Sequence, residues 1–511
     1  MGNQDDPHRT APAGTARQGV SRRTMLKATG GVATAMATLE MVGRGAWIPD
    51  RIRVAEADAA ASATLPDIQF DIGGALAPVR TVNGVQVRFG PVHTAFLTLK
   101  LRRTPTASDR AELNRALDLI EANYPFSPSG VFTFVAYGRS YFDRLPGGID
   151  GPLVGAHMPR LAFDHSRSVL EEAVPGSTDV SMRNPGVSKL RYGVPVRIED
   201  NDMLVTLRSD NALVLLDVIG WLAGDGFLRG RMVRSPALRR LVTFTSSRAM
   251  FQQVGLPRFV ASVNRLPFAD FINDRSPMWM GFSDQQTNAG GPAAITTFAG
   301  NASAHLTTAV AGDYFDNGSV QHLSHDIIDM LQWFDMADAD AAPGQDGVFT
   351  ERVQYMFHSP AIDPGNADQF TNGGGPSFLP NDFHGPDYAA RTAAGIGTQD
   401  NEHRMGHLST LQRSSRAADG TPVHIRMDGP GFDDMDVPDG SNQPKLQFTV
   451  FMPSADSFAT MRDNAGAQDL CQRFGVDGDD NGLERFITAT RRQNFLVPPR
   501  RHRAFPLLEL T

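Results

Sequence analysis

The stretch Val92–Leu101, VHTAFLTLKL, puts Ala95, Leu97, Leu99 and Leu101 at every second position. That period marks a strand with one buried face. Ser108 then stands as a helix cap, with Asp109 and Glu112 in the first turn, where carboxylates suit a helix N-terminus. Leu113, Leu117 and Ile120 continue as an apolar stripe at helical spacing. Val131–Tyr137 reads as a second strand, Met203–Leu207 as a third and Asn211–Leu222 as a second helix. Strand, helix, strand, strand, helix is the order of a ferredoxin-like unit, an antiparallel sheet with helices on one face.

The pattern returns later in the chain. Gly318–Leu323 reads as a strand and His325–Phe334 as a helix. Val423–Met427 and Leu446–Met452 read as strands, Ser454 as the cap of a helix through Phe458 and Met461, and Gly482–Arg491 as a final helix. The expected fold class is therefore α+β, with tandem ferredoxin-like halves and antiparallel sheets. The expected division is a leader over residues 1–63, one domain over 64–270 and a second over 271–511. The stretch 255–275, with Pro257 and Pro267, lies between the halves, and 336–404 is the most loop-like part, including Gly373-Gly374-Gly375-Pro376.

Composition narrows the function. The chain has 511 residues, 48 basic against 56 acidic, and a formal net charge of −8. That balance gives no electrostatic reason to expect nucleic acid as a partner. The single cysteine, Cys471, excludes an intrachain disulfide framework and a cysteine-rich metal site.

The N-terminal residues have the form of an export signal. Ser21-Arg22-Arg23-Thr24-Met25-Leu26-Lys27 resembles the twin-arginine consensus, and a weakly apolar stretch runs from Ala28 to Leu39. That stretch is shorter than the roughly 20 apolar residues that span a bilayer. Ala61-Ser62-Ala63 offers an A-x-A cleavage site. The expected location is exported: extracellular, periplasmic or cell-envelope associated, with the twin-arginine translocase as a partner during export and no stable transmembrane segment in the mature protein. This route carries folded proteins, which suits a chain that assembles around a cofactor first.

Several local motifs have ordinary readings. Asp477-Gly478-Asp479-Asp480-Asn481-Gly482 opens like an EF-hand loop, yet Thr488 stands where a bidentate Glu is needed, so a turn capped by aspartates is preferred. Asp433, Asp434, Asp436 and Asp439 read as a solvated acidic loop. His322 and His325 are spaced as a candidate metal pair, but a strand position for one and a cap position for the other would keep them from converging. No G-x-S-x-G elbow, P-loop or H-E-x-x-H motif is present.

An ordered set of weaker motifs spans the second half. Met280-Gly281-Phe282-Ser283-Asp284-Gln285-Gln286-Thr287-Asn288 comes first, then Asn317-Gly318-Ser319-Val320 leading to Trp333. Gly406-His407-Leu408 follows, then His424-Ile425-Arg426-Met427-Asp428-Gly429, and finally Val497-Pro498-Pro499. This order resembles the dye-decolourising (DyP-type) haem peroxidases. Their G-F-x-D-G-T-x-N segment is matched in part by Gly281-Phe282-Ser283-Asp284, and their terminal V-P-P by Val497-Pro498-Pro499. Gln285 stands where that family has glycine, and Asp428 where it has an amide or apolar residue.

The resemblance implies a dimeric α/β-barrel (DyP-like) arrangement with haem b (iron protoporphyrin IX) in the C-terminal half. It implies that His407 ligates the metal, with His403 and His424 as rivals. A neutral imidazole can hold haem iron from one side and leave the other open. Asp284 is implied as the acid–base group and Arg426 as the cation that stabilises charge on the departing peroxide oxygen. Gly281, Phe282 and Asp428 fall in the implied cofactor-binding set. Met278, Trp279 and Met280 are candidates for pocket or core. Hydrogen peroxide and a small organic reducing substrate are the implied partners, and a homo-oligomer is left open. The alternatives are a non-catalytic haem-binding or haem-handling protein, and a haem-free binding module on the same fold.

Overall fold

The computed structural model describes residues 65–78, 80–82, 85–87, 90–174, 191–236, 238–272, 274, 276–280, 293–300, 306–334, 424–466 and 483–511. Eight strands carry the architecture. The first four are β1 (His93–Leu101), β2 (Phe132–Gly138), β3 (Met203–Ser209) and β4 (Val242–Phe251). The second four are β5 (Ser319–Ile328), β6 (Gly429–Asp433), β7 (Gln443–Met452) and β8 (Ile487–Val497).

Helices α1 (Ala107–Asn123) and α2 (Ala212–Leu222) connect the first set. The single turn α3 (Met330–Trp333) and helix α4 (Ala455–Gly466) accompany the second. The strand order is β4-β1-β3-β2 in one half and β8-β5-β7-β6 in the other, with every neighbour antiparallel. Relabelled within each half, both read fourth, first, third, second. That is the ferredoxin-like order, so the tandem α+β expectation holds.

The halves join edge to edge. Phe495 pairs with Gly138 and Leu496 with Tyr137, linking β8 to β2 in one continuous sheet. The two far edges meet as well, where β6 lies against β4. A Cβ on Gly431 would stand 2.9 Å from the Ala249 carbonyl oxygen, and one on Gly429 would stand 2.8 Å from Met250 Cγ. Only glycine permits this approach.

Side-chain alternation divides the structure into layers. In β1, Ala95, Leu97, Leu99 and Leu101 face the helices, with Leu113, Leu117 and Ile120 of α1 and Leu215, Val218 and Ile219 of α2 in the same cluster. The opposite faces of both sheets enclose Phe96, Phe134, Leu204, Met250, Leu323, Phe451 and Phe495. Phe70 stacks on Phe451 at 4.2 Å between ring centroids.

Local chemistry sets the ends. Thr106, rather than Ser108, caps α1: its side chain accepts from the Asp109 amide and Asp109 Oδ2 accepts from the Thr106 amide at 2.7 Å, a reciprocal capping box. Asn211 caps α2 by accepting from the Leu213 amide at 2.9 Å, and Ser454 Oγ accepts from Ser457 at the start of α4.

Two expected helices are corrected. His325–Ile328 belongs to strand β5, and helical structure is confined to Met330–Trp333, because β5 is central and pairs on both sides through Ile327. The expected Gly482–Arg491 helix gives way to strand β8 from Ile487. There the alternation Thr488, Thr490, Arg492 and its pairing to β5 outweigh local helical spacing. The stretch around 255–275 contains a helix, Leu256–Val263.

Candidate functional site

The two halves differ on the outer face of their sheets. In the second half, Asn494 of β8 is the cross-strand partner of His322 in β5. His322 is the partner of Val450 in β7, and Val450 is the partner of Arg426 in the two-residue strand Ile425–Arg426. Cross-strand partners share a face. Arg426 therefore stands in one row with His322 and Asn494, two strands away from His322, or roughly 10 Å at the usual strand spacing. Met427 alternates to the interior and is 8% exposed, while Arg426 and Asp428 are half-buried.

His322 is sealed into this face. Its Nδ1 lies 2.8 Å from Asn494 Oδ1 and its Nε2 2.7 Å from Ser324 Oγ. The ring stacks on Phe458 of α4 with centroids 3.4 Å apart. Burial holds its pKa well below the usual histidine value, so the ring is neutral.

His325 points the other way, since an odd separation on one strand reverses the face. Its Nδ1 lies 2.9 Å from Thr490 Oγ1 and its Nε2 3.1 Å from Asp433 Oδ1. Both ring nitrogens are engaged in each histidine, so the pair does not form a metal site. Among the described residues no cluster of three or more His, Cys, Asp or Glu is placed to hold a metal ion.

A chain of buried charge surrounds His325. Asp433 lies 3.6 Å from Lys445 Nζ, and both side chains are buried. Arg491 Nη2 donates to Asp436 Oδ1 at 2.7 Å, and Arg491 Nη1 to Glu199 Oε1 at 3.3 Å. Glu199 also accepts from the fully buried Arg248 of its own half, so the Arg491–Glu199 pair is the one that ties the first half to the second. Burial lowers the His325 pKa against the pull of Asp433, and burial likewise lowers that of Lys445. Burial would raise the Asp436 carboxyl, but Arg491 more than offsets it and brings it to about 2. The acidic loop thus supplies two ion-pair partners, the buried Asp433 and the half-buried Asp436, with Asp439 accepting from Ser441 at the surface. Lys445, Arg248 and Glu199 were not singled out from sequence. The available signal was a charged residue in the buried phase of a strand, as Lys445 is beside Gln447, Thr449 and Phe451.

The segment before Asp284 is anchored beside the Arg426 segment. Trp279 is 1% exposed and donates from Nε1 to the Gly431 carbonyl at 3.0 Å. Its ring meets Phe251 at 5.9 Å and Phe432 at 6.1 Å, and Met280 is buried in the same cluster, so both residues pack as core. Gly281, Phe282, Asp284 and His407 lie outside the described residues, as do His403, Cys471, the Asp477–Gly482 segment and the N-terminal export motif. Among the described residues no helix is long and apolar enough to cross a membrane.

Together these features define a tandem ferredoxin-like α+β protein whose second sheet carries a polar row on its outer face. Residues 91–161 and 170–499 match the model described as a family of unknown function, DUF7405, and the chain belongs to that family. No curated protein matches it. Among solved structures it is similar to a putative DyP-type peroxidase from Shewanella oneidensis, at 14% identity and a TM-score of 0.43, covering 82% of this chain and 95% of that one. It is similar to the encapsulated DyP-type peroxidase of Mycobacterium smegmatis at 16% identity and a TM-score of 0.44, over 80% and 94% of the two chains. A DypB variant from Rhodococcus jostii RHA1 in complex with heme matches at 12% identity and a TM-score of 0.46, over 81% and 96%.

Proposed function

We propose that this chain is an exported, haem-dependent peroxidase-like protein that uses hydrogen peroxide to oxidise small organic donors. The observation that carries the reading is the Trp279–Gly431 hydrogen bond. Asp284 follows Trp279 by five residues and Arg426 precedes Gly431 by five. At no more than about 3.6 Å of chain per residue, each lies within roughly 18 Å of this anchor. The anchor supports placing the carboxylate and the guanidinium of the ordered motif set around one site.

The residues present suit haem in their chemistry. Arg426 supplies a permanent cation on the outer face of the second sheet, clear of the barrel interior that Met427 enters. His322 and His325 have both ring nitrogens bonded, which leaves the iron-ligand role to a histidine outside the pair, and His407 is the assignment. Haem, when bound, supplies a redox-active iron. His407 would hold it through a neutral imidazole, and Gly281 and Phe282 would belong to the cofactor-binding set. With haem bound, the Asp284 carboxylate would take a proton from the inner peroxide oxygen and return it to the outer one, which would leave as water with the O–O bonding pair, the two electrons of the reduction coming from haem. The Arg426 guanidinium donates to the charge developing on the departing oxygen. Asp428, two residues along the same face, orients Arg426.

The test is an absorption spectrum of protein expressed with haem supplied, followed by peroxide-dependent oxidation of a phenolic donor. A Soret band is expected, and His407→Ala should abolish it. Asp284→Asn and Arg426→Leu should each lower turnover about 100-fold while haem content stays. A well-folded, haem-supplied protein with no Soret band overturns the reading. Haem binding without turnover replaces the enzyme by a haem-handling protein.

A further inference from the structure

Residues 226–241, GFLRGRMVRSPALRRL, carry five arginines and no acidic residue, in a chain whose formal net charge is −8. Within them Phe227–Leu228 and Arg231–Met232 pair as a two-stranded hairpin. Arg229 at φ 51° and Gly230 at φ 71° close it. Two left-handed residues in succession make the tight turn that matches the right-handed twist of paired strands.

The hairpin is fixed to the body of the first half. Leu228 is fully buried in the apolar cluster with α2. The Arg229 amide donates to Asp217 Oδ2 at 2.6 Å, and Arg229 Nη1 donates to the Asn123 carbonyl at 2.7 Å. Trp221 Nε1 donates to the Val233 carbonyl at 3.1 Å. Arg239 returns to the hairpin base: its Nη1 lies 3.1 Å from where a Cβ on Gly224 would stand.

The opposite face is left open. Phe227 and Met232 are direct cross-strand partners, 49% and 85% exposed. Arg231 is the cross-strand partner of Leu228 and flanks the pair from the other face of the ribbon; it, Arg229, Arg234, Arg239 and Arg240 are all exposed. A rigid turn presenting an adjacent Phe–Met pair among arginines fits the headgroup region of an anionic bilayer. There phosphates meet guanidinium groups and an apolar boundary lies just beneath. A soluble polyanion would satisfy the arginines and leave Phe227 and Met232 in water, so the apolar pair favours lipid.

We propose that the hairpin Phe227–Met232 and its arginines dock the protein peripherally on an anionic lipid surface. This surface lies in the first half and stands independently of the haem reading. The test is flotation of the full chain with phosphatidylcholine vesicles, with and without phosphatidylglycerol. Binding to the phosphatidylglycerol vesicles alone, weakened by salt, is expected. Arg231→Gln and Arg234→Gln should weaken it roughly fivefold each. Phe227→Ser combined with Met232→Ser should lower it several-fold further, with the circular dichroism spectrum and thermal transition unchanged. Absence of binding, or equal binding by these variants, overturns the proposal. Displacement by a soluble polyphosphate, with the apolar double variant binding as well as the parent, also overturns it and assigns the surface to polyanions.

Discussion

In the first half, residues 102–131 lead from β1 to β2 through α1, and the sheet face beneath is closed by Leu97, Leu99, Leu117 and Ile120. In the second half residues 329–428 stand between β5 and β6 in the sequence, and the outer face of the sheet carries His322, Ser324 and Asn494, with Arg426 in the same row. One topology thus serves two ends. A sheet backed by a continuous apolar layer is a scaffold, since every side chain there is committed to packing. A sheet whose outer face carries a polar row with Arg426 beside it has groups that can be turned to chemistry. The segments of the ordered motif set belong to the second half. The buried charge chain through Glu199, Arg248 and Arg491 holds that half against the first.

The sharpest way to break this contrast is Asp433→Ala. Removing that carboxylate leaves the buried Lys445 and the His325 ring without their partner, and about 3–5 kcal/mol of stability should be lost in urea unfolding. A loss below about 1 kcal/mol would show that the chain of charge does not hold the second half. Acid should act next. His93 titrates at about 4 in the fold, where burial opposes its charge, against 6.5 when unfolded. Its share of stability is whole above the unfolded value and shrinks as pH falls below it, by roughly 3 kcal/mol near pH 4. His322 and His325 shift in the same direction. Asp436, at about 2 against 3.8, adds its loss only in stronger acid. Urea midpoints at about pH 7 and about pH 4.5 measure this, and a pH-independent midpoint contradicts it. The smallest effect is expected in the scaffold half, where Thr106→Ala removes one cap and costs about 1 kcal/mol without altering any haem spectrum.

Much of the fold was legible. The period-two run in β1 and the helical stripe of α1 appear at Ala95–Leu101 and Leu113–Ile120 as expected, and so does the doubled ferredoxin-like order. The errors fall where tertiary pairing outvotes local pattern. His325–Ile328 has helical spacing, yet it lies between β7 and β8 and completes two ladders. The cap of α1 is a local exception: Ser108 is a good cap by type, but Thr106 stands at the spacing from which Asp109 closes a capping box. Of the site, Arg426 could be placed in a strand from its neighbours. Its row with His322 and Asn494 could not, because the row is made by residues 68 positions apart at Asn494 and 104 apart at His322.

The sequence by itself determined the periods: which residues of each strand are apolar, the apolar stripe of α1, and that two similar units follow one another. It also determined, through a single cysteine, that no intrachain disulfide framework or cysteine-rich metal site forms, and it set the basic run at 226–241. The tertiary structure alone decided which polar groups are buried together. Lys445, Asp433 and His325 become one cluster only when β5, β6 and β7 come into register. Likewise, Phe227 and Met232 become an exposed pair only because Leu228 between them is drawn into the core. Alternation along a strand is local, whereas the cost of burying a charge depends on what the rest of the fold brings beside it.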